Sequence, residues 1–304
     1  MLRTAVLRTT GATSGVGDRV SGVREETTMA ELDPRAAGAK RLRDKVCVIT
    51  GAGQGIGRAT ARRLGEEGGK IVVAERIDES ATRTTTELRE HGVDATKVLV
   101  DVGTFAGAQN LMDETLKAYG RIDVLVNNVG GTIWIQPYHK YTEEQVHLEL
   151  ERTLYPTLWC CLAVLPIMME QRSGAIVNLG SQSPRGLYRL PYAVGKGGIF
   201  ALTKVLSMEY GRYGIRINTV APGGTEVPDR ITPRLAIRPG VMAEALDTEE
   251  TRAYREEMGQ DIRNQQSMKR SGRPEEQAAT IAFLASDDAS FITGQVINCS
   301  GGQS

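Results

Sequence analysis

Short runs that are apolar throughout, KVCVIT at 45–50, KIVVAE at 70–75, DVLVN at 123–127 and AIVNL at 175–179, recur along this chain with helix-length segments between them. A strand wetted on one face alternates apolar and polar residues. A strand apolar throughout is buried on both faces, which requires helices as crossovers. The spacing predicts strands at 45–50, 70–75, 96–101, 123–127, 174–180, 214–219 and 294–298. It predicts helices at 56–67, 79–91, 104–119, 143–171, 190–212 and 274–286. That alternation specifies an α/β fold, a doubly wound seven-stranded parallel sheet with helices on both faces, in one domain. The pattern lapses at 222–273, far longer than the usual connection of ~4–6 residues, and reads as a substrate lid.

The pattern begins near Asp44, so 44–304 is expected to be the domain and 1–43, which has no period, a disordered or non-native extension. Met29 opens a more conventional start, and no apolar core or cleavage site of a secretory signal precedes it. With 37 Lys+Arg against 37 Asp+Glu, no global field recruits nucleic acid or an anionic membrane. No apolar run reaches the ~20 residues of a membrane span, so a soluble protein is expected. Cys47, Cys160, Cys161 and Cys299 show no CxxC spacing and no clustering with His91, His139 or His147. They read as small buried hydrophobes of a reducing, cytoplasmic compartment, and no metal site is expected.

Thr50-Gly51-Ala52-Gly53-Gln54-Gly55-Ile56-Gly57 follows the first strand and opens the first helix. Glycines there let the backbone close on a pyrophosphate at the helix N-terminus. Residues 10–17, TGATSGVG, fit the same pattern but have neither strand nor amphipathic helix around them, and are rejected as a site. Glu75 ends the second strand, where an acid accepts from both adenosine ribose hydroxyls and repels a 2′-phosphate, favouring NAD. Arg76 beside it tempers that preference, since a guanidinium can offset the repulsion. Asp101, at the predicted end of the third strand, either accepts from the adenine amino group or caps the next helix.

Tyr192 and Lys196 stand i, i+4 on one helix face. A free phenol ionises near ~10, but an ammonium and a nicotinamide cation nearby both favour phenolate, so Tyr192 could take the proton of an alcohol as hydride leaves. Gly195, Gly197 and Gly198 each cost the helix roughly 1 kcal/mol against Ala, tolerable where another backbone or a cofactor comes close.

TGAGQGIG, Asn127-Asn128-Val129-Gly130, Ser181, Tyr192/Lys196 and Pro222-Gly223, in that order, resemble the signature of the short-chain dehydrogenase/reductase family over residues 44–304. The resemblance implies that Ser181 bonds the substrate oxygen, Tyr192 is the acid/base, and Lys196 binds the nicotinamide ribose and eases ionisation of the tyrosine. It implies cofactor contacts at Gly51, Gln54, Gly55, Ile56, Gly57, Glu75, Asp101, Val102, Asn128, Gly130, Pro222, Gly223 and Thr225, besides Tyr192 and Lys196. Ser183 is the second candidate for the serine role, and Ser181 is preferred because it directly follows the strand. Two positions depart from the family. Thr153 stands where an asparagine usually serves a proton relay to the lysine, and Val227 replaces a threonine, leaving Thr225 to meet the carboxamide.

NNVGG, RTLYPTLWCCLAVLP, RGLYRLPYAVGKGG and APGGTEVPDRITPR look more like one branch, the bacterial cis-dihydrodiol dehydrogenases acting on oxidised benzoate-type rings. Arg185 and Arg189 between Ser181 and Tyr192, and Arg230, Arg234 and Arg238 in the lid, are candidate partners for a ring carboxylate, which guanidinium pairs in bidentate fashion. The expected function is oxidation of a carboxylated aromatic cis-diol to a catechol with NAD as hydride acceptor. The alternatives are a dehydrogenase or ketone reductase for another alcohol, and an NAD-sensing binding protein. The partners expected are a small-molecule substrate and further copies of the chain in a homotetramer, the family's common assembly.

Overall fold

A computed structural model describes residues 40–182, 186–227, 236–238, 241–242 and 248–303. Seven parallel strands form one sheet in the order β3-β2-β1-β4-β5-β6-β9. They are β1 Val46–Thr50, β2 Lys70–Glu75, β3 Ala95–Leu99, β4 Val124–Asn127, β5 Gly174–Leu179, β6 Ile215–Pro222 and β9 Val296–Cys299. The short strands β7 Ala236–Arg238 and β8 Val241–Met242 make a separate antiparallel pair. In β1, β4 and β5 every residue is buried, as wholly apolar runs require, whereas the edge strand β3 leaves Lys97 and Leu99 exposed.

The sheet is covered on both faces. Helices α1 Gly55–Glu66, α2 Asp78–Glu90 and α8 Pro274–Ala285 bury Leu64, Leu88 and Ile281 on one side. Helix α3 Phe105–Tyr119 and helix α5 Tyr155–Gln171, with Tyr210 of α6 Leu190–Tyr210, pack Leu111, Val164 and Met168 on the other. The winding reverses between β1 and β4, so the carboxyl ends of these neighbours open a crevice.

Four sequence expectations are corrected. The single helix expected at 143–171 is two, α4 Glu143–Thr153 and α5, broken at Leu154, because Pro156 lacks an N–H and crowds the preceding turn. Glu143–Gln171 is long and apolar enough, by length and composition alone, to cross a membrane, yet it is interrupted at Leu154 and α5 packs into the core. The stretch 222–273 is not wholly irregular, since α7 Glu249–Gln265 lies in it, started by Thr248, whose hydroxyl accepts from Thr251 N–H. Asp101 lies past the end of β3 and does not cap α3; Thr104 does, accepting from Gly107 N–H. Packing also starts before Asp44: Leu42 is wholly buried, and Arg41 pairs with buried Glu67 at 2.6 Å. Residues 1–39, with the decoy turn at 10–17, lie outside the described residues.

A buried polar chain fixes α6 against the strands. Asn127 Nδ2 donates to Asn178 Oδ1 at 2.9 Å, Asn178 Nδ2 donates to Thr203 Oγ1 at 2.9 Å, and the Thr203 and Thr219 hydroxyls bond at 2.7 Å. Breaking one link strands a buried polar group at about 1–3 kcal/mol, so α6 is held in register with the carboxyl ends of β4, β5 and β6.

Candidate active site

The crevice is a cavity of about 540 Å³ whose wall includes Glu75, Asp101, Arg189 and Met258. Of the residues expected in the cofactor site, Gly51, Gln54, Gly55, Ile56, Glu75, Asp101, Val102, Asn128, Gly130, Pro222, Gly223 and Thr225 all line it. Gly57 does not reach its wall. A Cβ built on Gly57 would stand 2.1 Å from Gly51 O and 2.6 Å from Asn128 Nδ2, so glycine there lets α1 close on the turn. Asn128 clamps the same turn, its Nδ2 donating to Thr50 O at 3.0 Å and Gly51 O at 3.1 Å.

The N-cap residue of α1, Gln54, makes no side-chain cap to the first turn, whose N–H groups form the positive end of the helix dipole. The Glu75 carboxylate is locked beside the turn, accepting from Gly53 N–H at 3.2 Å and Arg76 N–H at 2.9 Å. Asp101 accepts from Gly103 N–H at 2.9 Å, which turns its carboxylate along the cavity wall rather than into a cap. An uncapped helix start, a turn with no room for side chains and a fixed acid at the end of β2 fit a dinucleotide.

Ser181, Tyr192 and Lys196 all stand on the wall of the same cavity. Ser181 leaves the end of β5, and Tyr192 and Lys196 share a face of α6. Lys196 is almost wholly buried. Its Nζ donates to Leu179 O at 2.6 Å and lies 6.0 Å from the centroid of the Tyr192 ring. Burial pushes that ammonium down to about 8. Gly130, at φ 150°, passes directly over it: a Cβ there would sit 3.1 Å from Nζ.

Thr153 is buried behind the lysine rather than on the cavity wall. A Cβ on Gly195 would lie 2.9 Å from Thr153 Cγ2, so the glycine beside Lys196 makes room for the branched threonine. Among the described residues the Thr153 hydroxyl has no hydrogen-bond partner. Val227 also lines the cavity, packed against Gly55.

Of the arginines read as substrate anchors, Arg189 lines the cavity, its guanidinium 5.6 Å from the Tyr192 ring centroid and close over Gly186. Arg185, Arg230 and Arg234, the side chain of Arg238, and Ser183 lie outside the described residues.

The sequence reading missed the rest of this wall. Leu148, Glu151 and Arg152 of α4 and Met258 and Ile262 of α7 face the cavity. The signal for α7 was present, since Tyr254, Met258 and Ile262 recur every four residues, but they are the helix's few apolar residues in a polar run. Arg83 was missed as well; its Nη2 donates to Gly53 O at 3.0 Å and braces the turn from α2.

Residues 45–233 match the family model described as short chain dehydrogenase, and 236–304 that of enoyl-(acyl carrier protein) reductase. The 1,6-dihydroxycyclohexa-2,4-diene-1-carboxylate dehydrogenase of Acinetobacter baylyi is 42% identical over 263 residues, 86% of this chain and 97% of that protein. An enzyme of the same name from Pseudomonas putida is 42% identical over 266 residues, covering 86% and 94%. The crystal structure of levodione reductase superposes with a TM-score of 0.75 at 33% identity, over 86% of this chain and 98% of that one. With the phosphate turn, the switch-point crevice and the serine, tyrosine and lysine of one wall already in place, the chain is a member of the short-chain dehydrogenase/reductase family.

Proposed function

We propose that this enzyme oxidises a cis-dihydrodiol of an aromatic carboxylic acid, of benzoate, cumate or phthalate type, to a catechol with NAD, in the cytoplasmic breakdown of aromatic compounds. The observation that carries the reading is a guanidinium, Arg189, set over the Tyr192 ring in the same cavity as Ser181 and Lys196. A guanidinium pairs a carboxylate at two points, and this one lies on the cavity wall that carries Tyr192.

When bound, the dinucleotide supplies the hydride acceptor. Ser181 holds the substrate hydroxyl, and Tyr192, as phenolate, takes its proton while the C–H bond gives up hydride and the carbon becomes a ketone. Lys196 keeps a cation beside the ring and would hold the ribose hydroxyls. Thr153, buried beside the glycine next to Lys196, takes the place of the family's relay asparagine with a hydroxyl that can both donate and accept. Where the neighbouring carbon carries a hydrogen the ring ketone tautomerises to an aromatic diol; where it carries the carboxylate the β-keto acid first loses CO2 unaided, and the resulting enol is the catechol. Incubating wild-type protein with NAD and 1,6-dihydroxycyclohexa-2,4-diene-1-carboxylate should give NADH and catechol one for one. NADH without catechol, or neither product, would remove this substrate.

A second reading, a dehydrogenase or ketone reductase for an uncharged alcohol, is favoured by the apolar side of the same wall, Leu148, Met258 and Ile262. Such an enzyme would not distinguish charged from uncharged diols.

NAD rather than NADP follows from the fixed Glu75 carboxylate, which a 2′-phosphate would have to approach. Glu75→Ala should raise kcat/KM for NADP relative to NAD by about tenfold or more, with Arg76 then able to pair the phosphate. Equal use of both cofactors by wild type would contradict this.

The enzyme also presents Val194, Val205 and Met208 of α6 exposed, with Phe291 fully exposed near β9. Apolar surface of this kind is consistent with self-association, and the assembly proposed is a homotetramer. Sizing at micromolar concentration should give about four chain masses; one chain mass would exclude it.

A further inference from the structure

Glu149 of α4 is wholly buried, yet it carries a carboxyl group. Its Oε1 accepts from the consecutive backbone N–H groups of Ile133 and Trp134, both at 2.8 Å, and from the Thr132 hydroxyl at 3.4 Å. Its Oε2 is buried, with no hydrogen-bond partner among the described residues. Burial pushes this acid up to about 7 against the pull of those bonds and of Arg152, one turn along the helix. An apolar side chain would fill the space at less cost in desolvation.

What the carboxyl group achieves is local. Ile133 and Trp134 are themselves buried, and without Glu149 their N–H groups would lose these acceptors. The segment they belong to spans the two ends of the catalytic wall. It begins at Gly130, against Lys196 Nζ, and at Gln136 its N–H donates to Tyr188 O at 2.7 Å. Tyr188, at φ 62°, leads directly into Arg189 and α6. Tyr141 adds a second tie, its hydroxyl donating to Trp134 O at 2.8 Å. The turn of α4 that carries Glu149 also turns Leu148, Glu151 and Arg152 to the cavity.

We propose that Glu149 is a positioning residue, whose carboxyl oxygen fixes the segment 132–134 and through it the substrate-side wall between Lys196 and Arg189. The inference rests on the dehydrogenase reading of the site and not on the identity of the substrate. Cofactor affinity should be nearly independent of Glu149, because the turn at 50–57 is held by Asn128, Arg83 and Glu75 instead.

The test uses full-length protein carrying Trp159→Phe, which leaves Trp134 as the only tryptophan. Glu149→Ala should shift Trp134 emission to the red and raise KM for 1,6-dihydroxycyclohexa-2,4-diene-1-carboxylate by about tenfold, with the Kd for NADH within about twofold. Glu149→Gln keeps an acceptor oxygen and should restore both readouts to within about threefold of the parent. An unshifted emission, an unchanged KM, or a Gln variant as impaired as Ala would overturn the proposal. If the Ala variant does not fold, Tyr141→Phe decides: it should raise KM about threefold with NADH binding unchanged, and an unchanged KM would overturn the proposal. Should the parent not oxidise this diol at all, the substrate reading fails, while the Trp134 emission and its rescue by Gln still decide the role of Glu149.

Discussion

Tyr192→Phe should lower kcat by about a thousandfold or more and leave the Kd for NADH within about twofold. The substitution removes one oxygen and keeps the ring. The ring is what meets Lys196 at 6.0 Å and Arg189 at 5.6 Å, so packing around the site should persist. The cavity wall toward the dinucleotide is built mainly from Gly51, Gln54, Glu75, Asn128 and Gly223, none of which depends on the phenol. Only the proton acceptor is lost. Stopped-flow turnover alongside NADH fluorescence titration separates the two quantities. A variant retaining more than about a tenth of wild-type kcat would mean that another group takes the proton.

Arg189→Met should raise KM for a carboxylated diol by roughly 30-fold to 150-fold, equivalent to the ~2–3 kcal/mol of a charged hydrogen bond, and change that for an uncharged cis-diol little. Methionine fills much of the aliphatic volume over Gly186 and the Tyr192 ring, so the comparison isolates charge. Steady-state kinetics on the two diols with one enzyme preparation provide the measurement. Equal losses on both substrates would show that Arg189 supports the loop at 186–189 rather than the ligand.

The sheet was legible because strands buried on both faces leave an unmistakable run of apolar residues, as in VCVIT and KIVVAE. Tyr192 and Lys196 were legible because helical spacing alone sets them side by side. Glu75 was legible from its place at a strand end. The break at Leu154 was harder: Pro156 stands inside an otherwise helical run, and an N-terminal proline suits a new helix as well as it breaks an old one.

Helix α7 escaped notice because its apolar residues, Tyr254, Met258 and Ile262, make a stripe too thin to stand out from its charged neighbours. Glu149 could not have been found by spacing. On α4 it is one acid among Glu143, Glu144 and Glu151, and only the fold reveals that it alone is wholly buried, facing two backbone amides from another segment. Arg152 was hidden similarly, a helical arginine until α4 is seen to form the cavity wall.

The central claim is recognition of a ring carboxylate by an NAD-linked dehydrogenase. Its most direct test is the ratio of wild-type kcat/KM, with NAD, for 1,6-dihydroxycyclohexa-2,4-diene-1-carboxylate against the uncharged cis-diol of the same ring. The account predicts a ratio of about thirtyfold or more in favour of the carboxylate. A ratio near one, or a preference for the uncharged diol, would contradict it and leave only the general alcohol dehydrogenase.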